Sequence, residues 1–74
     1  MALFNGRGLG DLERRVLNVM VDWLFLHEVQ SLAGLDSEAQ AKGVLERLET
    51  RGLVARKGSH STWVLTHAGR RVVR

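Results

Sequence analysis

The sequence predicts a mainly α domain with a small β-hairpin (α+β), in which three helices precede the hairpin. Its 74 residues are enough for one small domain. Apolar residues recur at helical spacing as far as Gly52, and beyond it the spacing changes to a period of about two. Because cysteine is absent, disulfides and zinc–thiolate sites are excluded and packing alone must hold the core.

The N-terminal segment, residues 1–10, is predicted to be a flexible arm, and residues 11–74 are predicted to form the folded domain. Gly6, Gly8 and Gly10 disfavour a stable helix in the arm. These glycines do not have the G-x-G-x-x-G spacing and follow no predicted strand, so a phosphate-binding loop is not expected.

The first helix is predicted to begin after Asp11, a good N-cap residue. Its first apolar stripe continues to Trp23, which is expected to lie in the core. A second apolar stripe lies beside the first and consists of Leu17, Val21 and Leu24. A helix that is apolar on two sides is either central to its fold or packs against a partner chain. The second stripe is therefore a candidate homodimer contact. A homodimer is expected to form through this helix or through the N-terminal arm.

The second helix is predicted over residues 27–33, with three apolar side chains inward: Val29, Leu32 and Ala33. Gly34 is expected to end it by supplying the left-handed C-terminal position. A third helix is predicted over residues 37–51, with Asp36 or Ser37 as its cap. Its inward stripe is Ala41, Val44, Leu45 and Leu48, and Gly52 is expected to end it.

The hairpin is predicted from two β-prone segments, residues 53–57 and 62–66, which flank a polar four-residue turn at 58–61. Trp63 is expected to pack from the hairpin onto the helices. The closing segment, residues 67–74, is predicted to form one or two turns of helix.

Two stretches of sequence carry a resemblance to a known family. Residues 45–54 (LERLETRGLV) resemble the end of a winged-helix recognition helix, and residues 63–70 (WVLTHAGR) resemble the L-T-x-x-G-R segment that closes the wing in MarR-type regulators. The resemblance implies a winged helix-turn-helix of three helices plus a wing, covering nearly the whole chain. MarR-type regulators are longer and dimerise through further terminal helices, so a minimal, stand-alone version is expected.

The net charge of +3 is distributed unevenly along the chain. Residues 1–36 carry a net −2 and residues 37–74 a net +5, and no acidic residue follows Glu49. A basic surplus of this kind favours a polyanionic partner. The third helix itself, counted from Asp36 to Arg51, carries a net −1, so the wing and C-terminal segment are expected to supply most of the affinity.

Sequence-specific binding of double-stranded DNA by a small transcriptional regulator is the function that these features predict. The third helix is expected in the major groove and the wing, residues 53–66, on the backbone or in the minor groove. The candidate residues of the recognition helix are Ser37, Gln40, Lys42, Gly43 and Arg47. The candidates of the wing and C-terminal segment are Arg56, Lys57, Ser59, His60, Arg70 and Arg71.

Other functions are weighed against this one. A winged-helix adaptor that docks on another protein and an excision-type architectural factor of a mobile element remain alternatives. An enzyme is not expected, because no G-x-S-x-G, P-loop or H-E-x-x-H motif is present, and no cofactor or metal is predicted. The longest apolar run, residues 16–26, is too short to span a membrane, so a cytoplasmic, nucleoid-associated protein is expected.

Overall fold

In the computed structural model, four helices and a three-stranded antiparallel sheet make up the described residues, which are 9–21, 23–57 and 62–73. The helices are α1 (Asp11–Val19), α2 (Leu26–Ala33), α3 (Glu38–Thr50) and α4 (His67–Val72). The strands are β1 (Leu24–Phe25), β2 (Val54–Lys57) and β3 (Thr62–Leu65). The predicted α+β class is confirmed, and the sheet has one strand more than the predicted hairpin.

Helix α1 is shorter than predicted. Its N-cap is Gly10, one residue earlier than expected, and the Glu13 side chain accepts a hydrogen bond from the Gly10 N–H at 2.8 Å. The helix ends at Val19, because Met20 leaves helical geometry (ψ 68°) and turns its side chain into the core. The apolar periodicity continues past this point, so the early end depends on packing with the rest of the fold.

The segment after α1 contributes strand β1 to the sheet. β1 pairs with β3, with Leu24 opposite Trp63 and Phe25 opposite Thr62, and the strand order is β1-β3-β2. Alternating side chains of a strand point to opposite faces of its sheet. Leu24 and Trp63 therefore face the helices and are buried, which confirms the predicted packing of the hairpin tryptophan.

The structure corrects three predictions about exposure. Leu17 and Leu24, predicted as dimer contacts, belong to the core and are 2% and 8% exposed, whereas Val21 is 88% exposed. Trp23, predicted in the core, is 47% exposed because it precedes Leu24 and points to the outer face of the sheet. Leu32, predicted inward, is 59% exposed because α2 packs through its other face.

The α2–turn–α3 unit forms as the sequence predicts. Gly34 ends α2 in the left-handed conformation (φ 69°), and Ser37 caps α3. The four predicted inward residues of α3, Ala41, Val44, Leu45 and Leu48, are all fully buried. Gly52, with φ 77°, ends this unit as expected.

Hydrogen bonds of Thr66 hold the start of helix α4 against the residues that follow α3. The Thr66 hydroxyl donates to the Gly52 carbonyl oxygen at 2.6 Å and accepts from the Gly69 N–H at 3.0 Å. The Thr66 N–H donates to the Leu53 carbonyl oxygen at 3.0 Å. Gly69 lies so close to Leu53 that a Cβ atom there would overlap the Leu53 carbonyl oxygen. Packing thus explains the threonine and glycine of the L-T-x-x-G-R segment.

No helix in the described ranges is long and apolar enough to cross a lipid bilayer.

Candidate nucleic-acid interface

The outward face of α3 is fixed by the residues that the helix buries. Since α3 turns by about 100° per residue, the stripe opposite its buried side chains recurs every three or four positions. That stripe is Ala39, Gly43, Glu46 and Thr50, and all four are exposed or half-buried. The N-terminal half of the outward face is therefore made of small residues, and the C-terminal half is polar.

Lys42 and Arg47 lie on either side of this outward stripe. Both side chains are exposed, which agrees with their predicted outward positions. Among the described residues, neither forms an ion pair. Two positive side chains thus flank a shallow surface on a single helix.

Gly43 lies in an open part of this surface. Among the described residues, no atom outside the backbone of α3 lies within 4 Å of a Cβ atom added there. Close approach of these residues therefore does not explain the glycine, and space remains on its outer side.

Ser37 and Gln40, both predicted to contact DNA, form the N-terminal cap of α3. The Ser37 hydroxyl accepts from the Gln40 N–H at 3.1 Å, and the Gln40 Oε1 accepts from the Asp36 N–H at 2.8 Å. A bidentate contact of Gln40 with adenine would require its Oε1 to accept from adenine and from the Asp36 N–H at once, which the two lone pairs of an amide oxygen allow. Both side chains therefore cap α3, and their contacts with DNA stay a prediction.

Arg56, on strand β2, faces α3. Its Nη2 lies 3.3 Å from the Oε1 of Glu49 and 4.0 Å from the Oε2 of Glu46. Its guanidinium carbon lies 4.6 Å from the ring centroid of Trp63, the residue opposite it in the sheet. Arg56 thus offsets two of the acids that give α3 its negative charge.

Lys57 and Arg70 lie on the other side of the sheet, around Trp23. The Lys57 Nζ is 5.4 Å from the Trp23 ring centroid. Trp23 and Arg70 line a groove of about 450 Å³ between the end of α1, the outer sheet face and α4. The predicted basic residues are therefore divided between two sides of the sheet. Arg71 is exposed on α4.

Two of the predicted wing contacts, Ser59 and His60, lie outside the described residues. Within the described ranges, no group of three histidine, aspartate or glutamate side chains could hold a metal ion.

Comparison with known proteins identifies relatives of this arrangement. No protein-family model and no curated protein matches the chain. A crystal structure of a MarR-family transcriptional regulator from Silicibacter pomeroyi is 26% identical, with a TM-score of 0.81, over 96% of this chain and 51% of that one. A crystal structure of a MarR-family transcriptional regulator from Silicibacter pomeroyi DSS-3 is 25% identical, with a TM-score of 0.82, over 95% of this chain and 53% of that one.

The chain has a MarR-like winged-helix fold. It spans about half the length of the solved regulators that it matches. In this fold, α3 is the second helix of the helix-turn-helix and the β2–β3 hairpin occupies the position of the wing.

The winged helix contains two site features that the sequence analysis missed. Ala39 lies on the outward stripe of α3, and its position follows from the same periodicity that places Leu48 inward. Nothing in the local sequence indicates the contact between Arg56 and Glu49, because this contact joins strand β2 to helix α3 across Gly52.

Proposed function

We propose that this chain is a winged-helix transcriptional regulator that binds double-stranded DNA in a sequence-specific manner. The observation that carries the proposal is the outward face of α3, where the small residues Ala39 and Gly43 lie between the exposed cations Lys42 and Arg47. The structures that match nearly the whole chain are described as transcriptional regulators, which supports the same function.

The recognition helix would enter the major groove with the N-terminal half of its outward face toward the bases. Small residues at positions 39 and 43 allow the helix axis to approach the base edges closely, and the Ala39 methyl group suits a thymine methyl group. Lys42 and Arg47 can donate hydrogen bonds to the O6 and N7 atoms of guanine. These four residues are the proposed sequence-reading surface.

Contacts with the phosphate backbone would come from the wing and α4. Lys57 and Arg71 are exposed cations on these two elements, and each neutralised phosphate makes binding more dependent on salt. Ser59 and His60 stay proposed contacts of the wing tip. Such contacts position the domain without reading the sequence.

Selection of binding sites from random DNA, followed by fluorescence anisotropy on the selected site, tests the proposal. We expect Lys42→Ala and Arg47→Ala to weaken binding to that site by about 1–3 kcal/mol each and to relax its sequence preference. Arg15→Ala is the matched control, because Arg15 is an exposed arginine on α1. The absence of affinity for every duplex at low salt would refute the proposed function.

A second candidate function, contact with another protein chain, is favoured by the apolar surface at the end of α1. Val21 is 88% exposed, and it borders the same groove as the half-exposed Trp23. Exposed apolar patches of this kind commonly mark interfaces. Self-association is tested by sedimentation equilibrium of the wild type and Val21→Ser; a monomer at every concentration would exclude a homodimer through this surface.

A further inference from the structure

Arg56 is a cation of the wing that contacts the acids of the recognition helix rather than extending away from the protein. Its nearest charged partner is Glu49, at 3.3 Å, and Glu46 lies slightly beyond, at 4.0 Å. In this position Arg56 serves as a counter-ion for α3.

Trp63 fixes the direction in which Arg56 can point. The sheet register places the two residues opposite each other on the inner face, and Trp63 is 3% exposed, so its ring is held by the core. A planar guanidinium can lie over an aromatic ring and donate hydrogen bonds from its edge at the same time. The ring and Glu49 together therefore define one preferred position for Arg56.

The contacts of Arg56 are weak enough to be exchanged for others. The side chain of Arg56 is 44% exposed, and those of Glu49 and Glu46 are 40% and 50% exposed. Ion pairs between such exposed groups are screened by salt and contribute little each. A phosphate group that approached the wing could therefore compete for the same guanidinium.

We propose that Glu49, assisted by Glu46, competes with DNA phosphate for Arg56. While these acids bind Arg56, its side chain does not contact the DNA backbone. The inference rests on the proposed DNA binding and adds an intramolecular control to the same site. As long as the acids retain Arg56, affinity for duplexes of any sequence is lowered. The base contacts of Lys42 and Arg47 then account for a larger share of the binding, which favours specificity.

Replacing Glu49 by its neutral isostere tests this competition. With a fluorescein-labelled duplex of mixed sequence, Glu49→Gln should bind about threefold to tenfold more tightly than the wild type, as expected for one additional phosphate contact. The slope of log affinity against log salt should steepen by about 0.9. Glu46→Gln should show a smaller change of the same sign, because its carboxylate is farther from Arg56.

A double-mutant cycle separates competition for Arg56 from the general effect of removing a negative charge. In the Arg56→Gln background, Glu49→Gln should leave the salt slope unchanged and give a smaller gain in affinity. Glu38→Gln is the matched control, because it removes the same charge from the same helix outside this cluster. It should not steepen the slope as Glu49→Gln does.

Two negative results can be told apart. If the wild type binds duplex DNA but Glu49→Gln gives the same gain with and without Arg56, the competition is refuted and the proposed function stands. If the wild type binds no duplex at low salt, the proposed function fails and the competition fails with it.

Discussion

Gly69 lies where helix α4 crosses the backbone of Leu53, and replacing it by alanine tests the account of how α4 is held. The added methyl group would overlap the Leu53 carbonyl oxygen and would lie 3.0 Å from its carbonyl carbon and 3.1 Å from the Leu65 Cδ2. Carbon atoms in favourable contact are about 3.5–4.0 Å apart. Because the nearest obstacle is backbone, α4 must move away as a unit.

The cost of Gly69→Ala can be worked out from the contacts that this movement disturbs. Forcing a methyl group into a packed site costs about 1–3 kcal/mol. The two hydrogen bonds of the Thr66 hydroxyl, to Gly52 and Gly69, contribute about 1 kcal/mol each when intact. The higher helix propensity of alanine offsets at most about 1 kcal/mol of this loss in the free energy of unfolding. The net expected loss in the free energy of unfolding is therefore about 2–4 kcal/mol.

Gly43→Ala is the matched control, since it makes the same substitution in a helix where no described residue outside the helix backbone lies within 4 Å of the new atom. There the helix propensity acts alone, and we expect stabilisation by about 0.5–1 kcal/mol. Urea unfolding followed by circular dichroism measures both changes. Equal stability of Gly69→Ala and the wild type would refute the close approach of α4 to Leu53.

Two further predictions concern stability. Trp63→Ala should lower the free energy of unfolding by about 3–5 kcal/mol because Trp63 is buried. Trp23→Ala should lower it much less because Trp23 is 47% exposed. Thermal melting compares the two variants, and a larger loss for Trp23→Ala would contradict the structure. Ser37→Ala should cost about 1 kcal/mol by removing the cap of α3, and Ser31→Ala, at an exposed site in α2, should change little in the same denaturation assay.

Elements that depend on neighbouring residues were predicted well from the sequence. The inward stripe of α3 follows from helical periodicity, and the ends at Gly34 and Gly52 follow from the ease with which glycine adopts positive φ. The Ser37 cap is a similarly local interaction. These features use chemistry that operates within a few residues of the chain.

Elements that depend on distant residues were predicted poorly. The apolar pattern after Val19 continues a helical stripe, yet β3 takes Leu24 and Phe25 as a third strand. This pairing turns Leu24 inward and Trp23 outward. The periodicity of the sequence does not reveal which segment will complete a sheet.

The candidate site shows the same difference between features that depend on neighbouring residues and features that depend on distant ones. The sequence located α3 and its exposed cations, because both follow from helical spacing and charge. The sequence predicts that Arg56 contacts DNA phosphates or the minor groove, which stays a prediction, and it does not indicate the contacts with Glu49 and Trp63 that the structure shows.

By itself, the sequence determined the order of the helices and the hairpin, the winged-helix class and the concentration of positive charge after α3. Tertiary structure alone decided where α1 stops, which tryptophan is buried and where Arg56 points. The physical reason is range: caps, glycines and periodicity act over a few residues, whereas strand pairing and ion pairs join residues that only the folded chain brings together.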